Sequence, residues 1–395
     1  MEHLTDDGRR LHLGYCTNVH PGESLDEVRA VLRRDVAAVR DRVAPGRPFG
    51  LGLRLGHAAA TTLAHDPEAL AAFAEEVAGL GFYVFTVNGF PYGDFAAASV
   101  KAAVYRPDWG AEARRLYTRE LAAVLAALPG PTRRTISTVA GGFKAETPDP
   151  VVLADRLEAS ARDLAALAET TGVHVRLCLE PEPFTTLETT DEVLAFFGAH
   201  LLPRGSHVRD HLGLCWDCCH QAVQFEDPVG ALDRLAEAGV TVGKLQVSSA
   251  LHLGRPGDAK ARAALLAYDE PRYLHQVVGR FPGGARRRAV DLPEVRAAET
   301  EWAEAEAWRC HFHVPIGWDG ENEVGLGTTR EDWVTGVRHA VSRGLVDHLE
   351  VETYTWDVLP AALRAERIDA AGGALTDALA AEIDALRTAL GGVPA

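Results

Sequence analysis

Val175-Arg-Leu-Cys-Leu-Glu180-Pro-Glu182-Pro is a short apolar run that ends on a carboxylate and is then stopped by two prolines. Proline has no backbone N–H to offer a ladder, so the run reads as a strand with an acid at its tip. The same pattern recurs along the chain. Apolar, β-rich runs at residues 12–19, 49–55, 83–87, 135–139, 175–179, 212–216, 242–247 and 348–351 alternate with amphipathic stretches. The first of these stretches opens on Ser24-Leu-Asp-Glu27, a capping box, and continues with Val28, Val31, Leu32, Val36, Val39 and Val43 at helical spacing. Others run over about 68–80, 110–128, 150–170, 190–201, 229–238 and 330–343. Eight strands separated by crossover helices predict an α/β chain closed into a (β/α)8 TIM barrel. An open doubly wound sheet is disfavoured, because no G-x-G-x-x-G follows the first strand.

Residues 1–395 read as a single domain. Within it, 250–345 forms a large insertion between the seventh and eighth strands, expected to lie over the barrel mouth, and an Ala- and Leu-rich helical tail follows Pro360. The insertion carries a basic group of Arg280, Arg286, Arg287 and Arg288, which suits either a phosphate or a solvated, salt-bridged face.

Lys and Arg number 40 against 56 Asp and Glu, a net charge of −16. That balance opposes a sequence-independent grip on nucleic acid and a polybasic membrane anchor. No apolar run approaches the roughly 20 residues of a bilayer-spanning helix, so direct membrane insertion is not expected. The polar, acidic start MEHLTDDGRR is unlike a signal peptide. Six irregularly spaced cysteines, three of them in Cys215-Trp-Asp-Cys218-Cys219, suit reduced thiols rather than a disulfide scaffold or a structural zinc site. The expectation is a cytoplasmic protein with a small-molecule substrate.

In a barrel of this type the reactive groups sit at the C-terminal ends of the strands. Here those ends carry His20, His57, Asn88, Glu180 with Glu182, Asp217 with His220, Gln246 and Glu352. Three carboxylates converging from three strands repel one another, and a divalent ion (Mn, Mg, Co or Zn) is the simplest compensating charge. Glu180, Asp217 and Glu352 are the candidate carboxylate ligands, Gln246 a weaker carbonyl one. His311 and His313, two apart on a strand-like run, face one side and join the candidates. Asp217 could instead cap the following turn, and Gln246 could make a core hydrogen bond. Glu180, Glu352 and His220 are the candidate catalytic groups; Glu182, Asn88, His57 and Lys244 are the candidate substrate contacts. Lys101, Tyr105, Asp108 and Trp109 form either a substrate wall or an exposed loop.

These strand ends resemble the xylose isomerase-like barrel superfamily, whose ketose 3-epimerases hold one divalent ion with a Glu, an Asp, a His and a Glu from the last four strands. Leu179-Glu180, Asp217-x-x-His220 and Val351-Glu352-Thr match that pattern, while Gly243-Lys-Leu-Gln246 places a glutamine where the family has its metal histidine. A closer resemblance, to the metabolite traffic protein EboE family, runs through Leu13-Gly-Tyr-Cys-Thr-Asn, Thr86-Val-Asn-Gly-Phe-Pro-Tyr-Gly, Leu179-Glu-Pro-Glu-Pro and Asp217-Cys-Cys-His-Gln-Ala-Val. It continues in Lys244-Leu-Gln-Val-Ser-Ser-Ala-Leu, His311-Phe-His-Val-Pro and Leu349-Glu-Val-Glu-Thr-Tyr-Thr-Trp. The resemblance implies a barrel protein encoded beside a UbiA-like prenyltransferase and a sugar-phosphate-cyclase-like protein, with Ebo operon partners. Two functions are expected from the residues and the resemblance together. One is a metal-dependent isomerase or epimerase of a sugar, cyclitol or related polyhydroxylated metabolite; the other is a metabolite carrier that has kept the barrel and weakened its metal site.

Overall fold

The computed structural model describes residues 1–5, 7–146, 149–321 and 323–391. Eight parallel strands form the barrel: Arg10–Tyr15, Phe49–Arg54, Phe82–Asn88, Arg133–Val139, His174–Glu180, Leu212–Asp217, Val242–Val247 and His348–Val351. Each pairs with its neighbour in sequence order, and the eighth pairs with the first, His348 opposite His12. A bridge between Cys16 and Gly52 joins the first strand to the second and completes the circle. The expected α/β barrel is the architecture observed.

The strands are buried on both faces, as parallel strands sheathed by helices must be. Two glycines set how closely the barrel closes at the first and second strands. A Cβ on Gly14 would lie 2.5 Å from the Gly50 carbonyl oxygen, and one on Gly52 would overlap the Glu350 carboxylate. The capping box at Ser24 forms as the sequence predicts, with Glu27 closing it. The first strand stops at Tyr15 and gives way to a 3-10 turn, Thr17–Val19, rather than running on to residue 19. His57 opens a helix, His57–His65, whose small alanines leave no periodic apolar stripe to read.

Between the seventh and eighth strands the chain builds a second sheet of six antiparallel strands. Their order is Arg286–Ala289, Val277–Arg280, Ala307–Val314, Ser249–Leu253, Leu326–Thr328, Gly320–Glu321. This sheet is fastened to the barrel's C-terminal rim. The Lys101 ammonium donates to the Asp291 carboxylate at 2.7 Å and to the Tyr273 carbonyl at 2.6 Å. Its basic run is ion-paired: Arg287 with Glu301, and Arg288 with Glu188 while lying 4.3 Å over the Phe184 ring. All six cysteines are free and buried. No helix among the described residues is long and apolar enough to cross a membrane.

The tail forms two helices, Ala361–Ala371 and Leu375–Ala389. The second packs on the helix Ala37–Val43 and turns Glu382 into the protein. One Glu382 oxygen accepts from the Ile316 N–H at 3.0 Å and the Thr353 hydroxyl at 2.6 Å; the other accepts from the Trp356 indole N–H at 3.0 Å. Burial outweighs these donors and pushes the Glu382 carboxyl up to about 7.

The folded carboxyl therefore holds its proton at pH values where an unfolded glutamate has lost it. Its contribution is complete below the unfolded value near 4.5 and is lost as pH rises towards 7. Urea titrations at pH 5 and pH 8 should show stability falling by on the order of 3 kcal/mol from this group. That share of the fall should be missing in Glu382→Gln, while the part owed to the buried carboxyls at the mouth remains.

Candidate active site at the barrel mouth

Three strand ends deliver three carboxylates to one point. Glu180 closes the fifth strand, Asp217 the sixth, and Glu352 follows the eighth; each offers an oxygen within 4.8 Å of the others. All three are at least 97% buried, at 3%, 0% and 3% exposure. Glu180 Oε2 and Asp217 Oδ2 have no hydrogen-bond partner among the described residues. Asp217 Oδ1 accepts from the His220 N–H and the Ser248 hydroxyl, both at 2.9 Å. Asp217 thus caps the helix Cys218–Val223 with one oxygen and leaves the other to the cluster. Glu352 Oε1 accepts from the side-chain amides of Asn18 and Asn88, each at 2.8 Å.

Burial raises the Glu180 carboxyl far above the ordinary carboxylate range, and the neighbouring charges of Glu352 and Asp217 add to it. Glu352 is raised for the same reasons, burial first and then Asp217 and Glu350. Such a set calls for a positive charge.

Three imidazoles face the carboxylates. His220 Nδ1 lies 3.2 Å from the Pro181 carbonyl, and His313 Nδ1 2.7 Å from the Glu352 carbonyl. His311 Nδ1 lies 2.7 Å from the Gln276 amide oxygen, an orientation consistent with the Gln276 NH2 donating to Glu182 at 3.0 Å. Carbonyls only accept, so each Nδ1 carries the proton and each Nε2 is left with a lone pair. Those lone pairs converge: His220 Nε2 is 3.1 Å from His311 Nε2 and 3.4 Å from His313 Nε2. Burial pushes His220 down to about 4 and lowers His311 and His313, so all three are neutral. His313 Nε2 is also 4.0 Å from Asp217 Oδ1. Ring nitrogens fixed by carbonyls at Nδ1 and open at Nε2 are the arrangement that orients histidine on a metal.

Around this centre Asn18, Tyr105, Glu182, Tyr273 and Tyr354 line a narrow cavity of about 50 Å³. The Tyr105 hydroxyl donates to Glu182 at 2.6 Å, and burial holds the Glu182 carboxyl up at about 7. The Tyr354 hydroxyl is 3.4 Å from His311 Nε2.

Of the residues singled out from sequence, Glu180, Glu182, Asp217, His220, His311, His313, Glu352 and Asn88 meet here, and Lys101 and Tyr105 of the possible wall line the same cavity. Gln246 pairs across the sheet with Asp217 and Glu350, but its amide oxygen accepts from the Cys215 thiol. His57 does not line the cavity; it stacks on Tyr92 at 4.4 Å with its side chain 43% exposed. The groups that sequence reading passed over are Asn18, Gln276, Tyr273 and Tyr354. The nearest available signals were the Cys-Thr-Asn18 that follows the first strand and the Thr-Tyr354 that follows Glu352.

No protein-family profile matches the chain, and no curated protein matches it. Among solved structures it is similar to a xylose isomerase-like TIM barrel protein from Mycobacterium smegmatis in complex with magnesium. That match has TM-score 0.52 and 11% identity over 96% of both chains. An L-ribulose 3-epimerase aligns with TM-score 0.47 and 16% identity, over 96% of this chain and 95% of that one. A probable 3-DHS dehydratase, AsbF, from Bacillus anthracis gives TM-score 0.44 and 13% identity over 95% and 98%. The first likeness shows the fold, a (β/α)8 TIM barrel.

Beneath the site, inside the barrel, Lys244 is ion-paired with Glu350, both side chains being 0% exposed. Strand alternation aims Lys244 inward as the sequence predicts, into a layer filled by its partner. Burial works against the ammonium charge, and the Glu350 carboxylate more than offsets it. The missing Cβ of Gly52 makes the room for that carboxylate. Breaking the pair by Glu350→Gln strands a buried ammonium and should cost about 3–5 kcal/mol in urea unfolding. The double replacement Lys244→Met with Glu350→Leu should recover most of that loss.

Proposed function

We propose that this chain is a divalent-metal-dependent isomerase or epimerase acting on a sugar, cyclitol or related polyhydroxylated metabolite. The observation that carries the reading is the cluster of Glu180, Asp217 and Glu352, with two orphaned carboxylate oxygens, faced by three unprotonated imidazole nitrogens. Its donor set fits a divalent ion. Glu180, Asp217, Glu352 and His313 would hold it, His313 supplying from the inserted sheet the nitrogen that Gln246 lacks. When bound, the ion supplies polarisation of neighbouring carbonyl and hydroxyl oxygens of the substrate.

The chain's own groups do the rest. Asn18 and Asn88 pin Glu352 Oε1, so Oε2 is its working oxygen. One of Glu180 and Glu352 takes the proton from the carbon beside the substrate carbonyl, and the other returns a proton to the opposite face. His220, with Nδ1 tied to Pro181, presents Nε2 to a substrate hydroxyl proton. Tyr105, Tyr273 and Tyr354 exclude water. On the sequence resemblance we assign the reaction to an Ebo-type metabolite processing pathway in the cytoplasm, alongside its operon partners.

The rival reading, a metabolite carrier, is favoured by one observation: the thiol of Cys215 engages the oxygen of Gln246. Elemental analysis of protein purified without chelator separates the two. A stoichiometric divalent metal, lost in Asp217→Asn, supports the enzyme, and its absence supports the carrier.

Incubation with Mn²⁺ and a panel of sugars and cyclitols in D₂O should place solvent deuterium on carbon. Glu180→Gln and Glu352→Gln should each slow that exchange by roughly 10²–10⁴-fold. Metal-loaded protein that leaves every panel member unlabelled overturns the isomerase reading.

A further inference from the structure

At the opposite end of the barrel, the strand starts surround a second cavity of about 470 Å³. It is lined by Arg9, Arg10, Arg133, Arg134 and Arg176, with Asp347 the single carboxylate among the described lining residues. In a chain of net charge −16 this is a local reversal of sign.

Three of the five guanidinium groups are already engaged. Arg9 donates to Asp7 at 2.8 Å, Arg10 to Glu2 at 3.1 Å, and Arg134 to the carbonyls of Pro131 and Leu128 at 2.7 and 2.8 Å. Arg176 is different. It is 8% exposed, and its Nη1 has no hydrogen-bond partner among the described residues. Its aliphatic stem runs where two neighbouring strands carry glycine: Cδ lies 3.0 Å from the point a Cβ of Gly213 would occupy and 3.1 Å from that of Gly243. The barrel floor is thus shaped to house a charged side chain that it does not pair. Arg133 starts the adjacent strand and is exposed at the rim. Burial above all, with the neighbouring Arg133 charge, holds Arg176 below its ordinary value against the opposing pull of Asp210 and Asp347.

A buried guanidinium with no direct ion pair among the described residues, reached by Asp210 and Asp347 only at a distance and lying beside a second guanidinium, is relieved by an anion, and the planar fork of arginine matches the oxygens of a phosphoryl group. A cavity of this size has space for more than a phosphate ion alone. We propose that this cavity binds a phosphorylated small metabolite, with the phosphoryl group held between Arg176 and Arg133. The site lies at the strand starts, separated from the mouth by the buried Lys244–Glu350 pair, so it stands independently of the reaction assigned above.

Calorimetric titration of the full chain in EDTA, with glucose 6-phosphate, glucose and inorganic phosphate as probes, tests it. One equivalent of glucose 6-phosphate should bind, inorganic phosphate more weakly and glucose not at all, with affinity falling as NaCl is raised. Arg133→Gln, an exposed change that leaves the fold intact, should weaken binding by roughly tenfold or more. Arg176→Met removes a buried unpaired charge and should abolish binding while circular dichroism stays native. Absence of saturable binding overturns the proposal, as does binding indifferent to both arginine changes. Equal affinity for inorganic phosphate overturns the assignment to an ester.

Discussion

Like charges drawn together out of water are the constraint on which this structure turns. Closing eight strands into a ring forces the residues at their tips to share one small volume, and three of those residues are carboxylates. The protein meets the same problem in two ways. In the barrel interior Lys244 and Glu350 neutralise each other, at the expense of a side chain on Gly52. At the mouth, among the described residues, no lysine or arginine bonds Glu180, Asp217 or Glu352, and the Lys244 charge reaches Glu180 and Glu352 only from the layer below; the immediate surroundings are amides, a helix N-terminus and three neutral imidazoles. Polar groups that lower the cost of a charge without cancelling it leave a strong field at the mouth, and a strong field is what a polarising site needs.

The inserted sheet makes this possible. Its strand Ala307–Val314 brings His311 and His313 down on one face, and Gln276 on the adjoining segment sets the tautomer of His311 while bonding Glu182 and Tyr105. Barrel and insertion therefore form a single hydrogen-bonded unit, with barrel carboxylates below and sheet imidazoles above. Neither half alone has the full donor set.

How much of this could be read beforehand follows from the range of the interactions. The barrel was legible because period-two and helical repeats are local, and Glu180, Asp217 and Glu352 were legible because each stands at the end of an apolar run. The parity of His311 and His313 put both on one face without any knowledge of the fold. Depth along the strand axis was harder: Lys244 and Gln246 share parity with the inward set, yet one lies in the interior layer on Glu350 and the other binds a thiol on the next strand. His57 misled because a residue after a strand may belong to the first turn of a helix pointing elsewhere. Asn18, Gln276 and Tyr354 owe their roles to contacts with partners 334, 94 and 43 positions away, which no local pattern encodes.

Glu382 lies in the last helix, yet it grips Thr353 and Trp356 on the segment that carries Glu352, and Ile316 on the segment that carries His313. During synthesis the barrel strands and the inserted sheet all leave the ribosome before that helix does. Displacing the helix Leu375–Ala389 would free the segments that carry Glu352 and His313 at one stroke, so the geometry of the mouth rests on a helix that contributes no group to it.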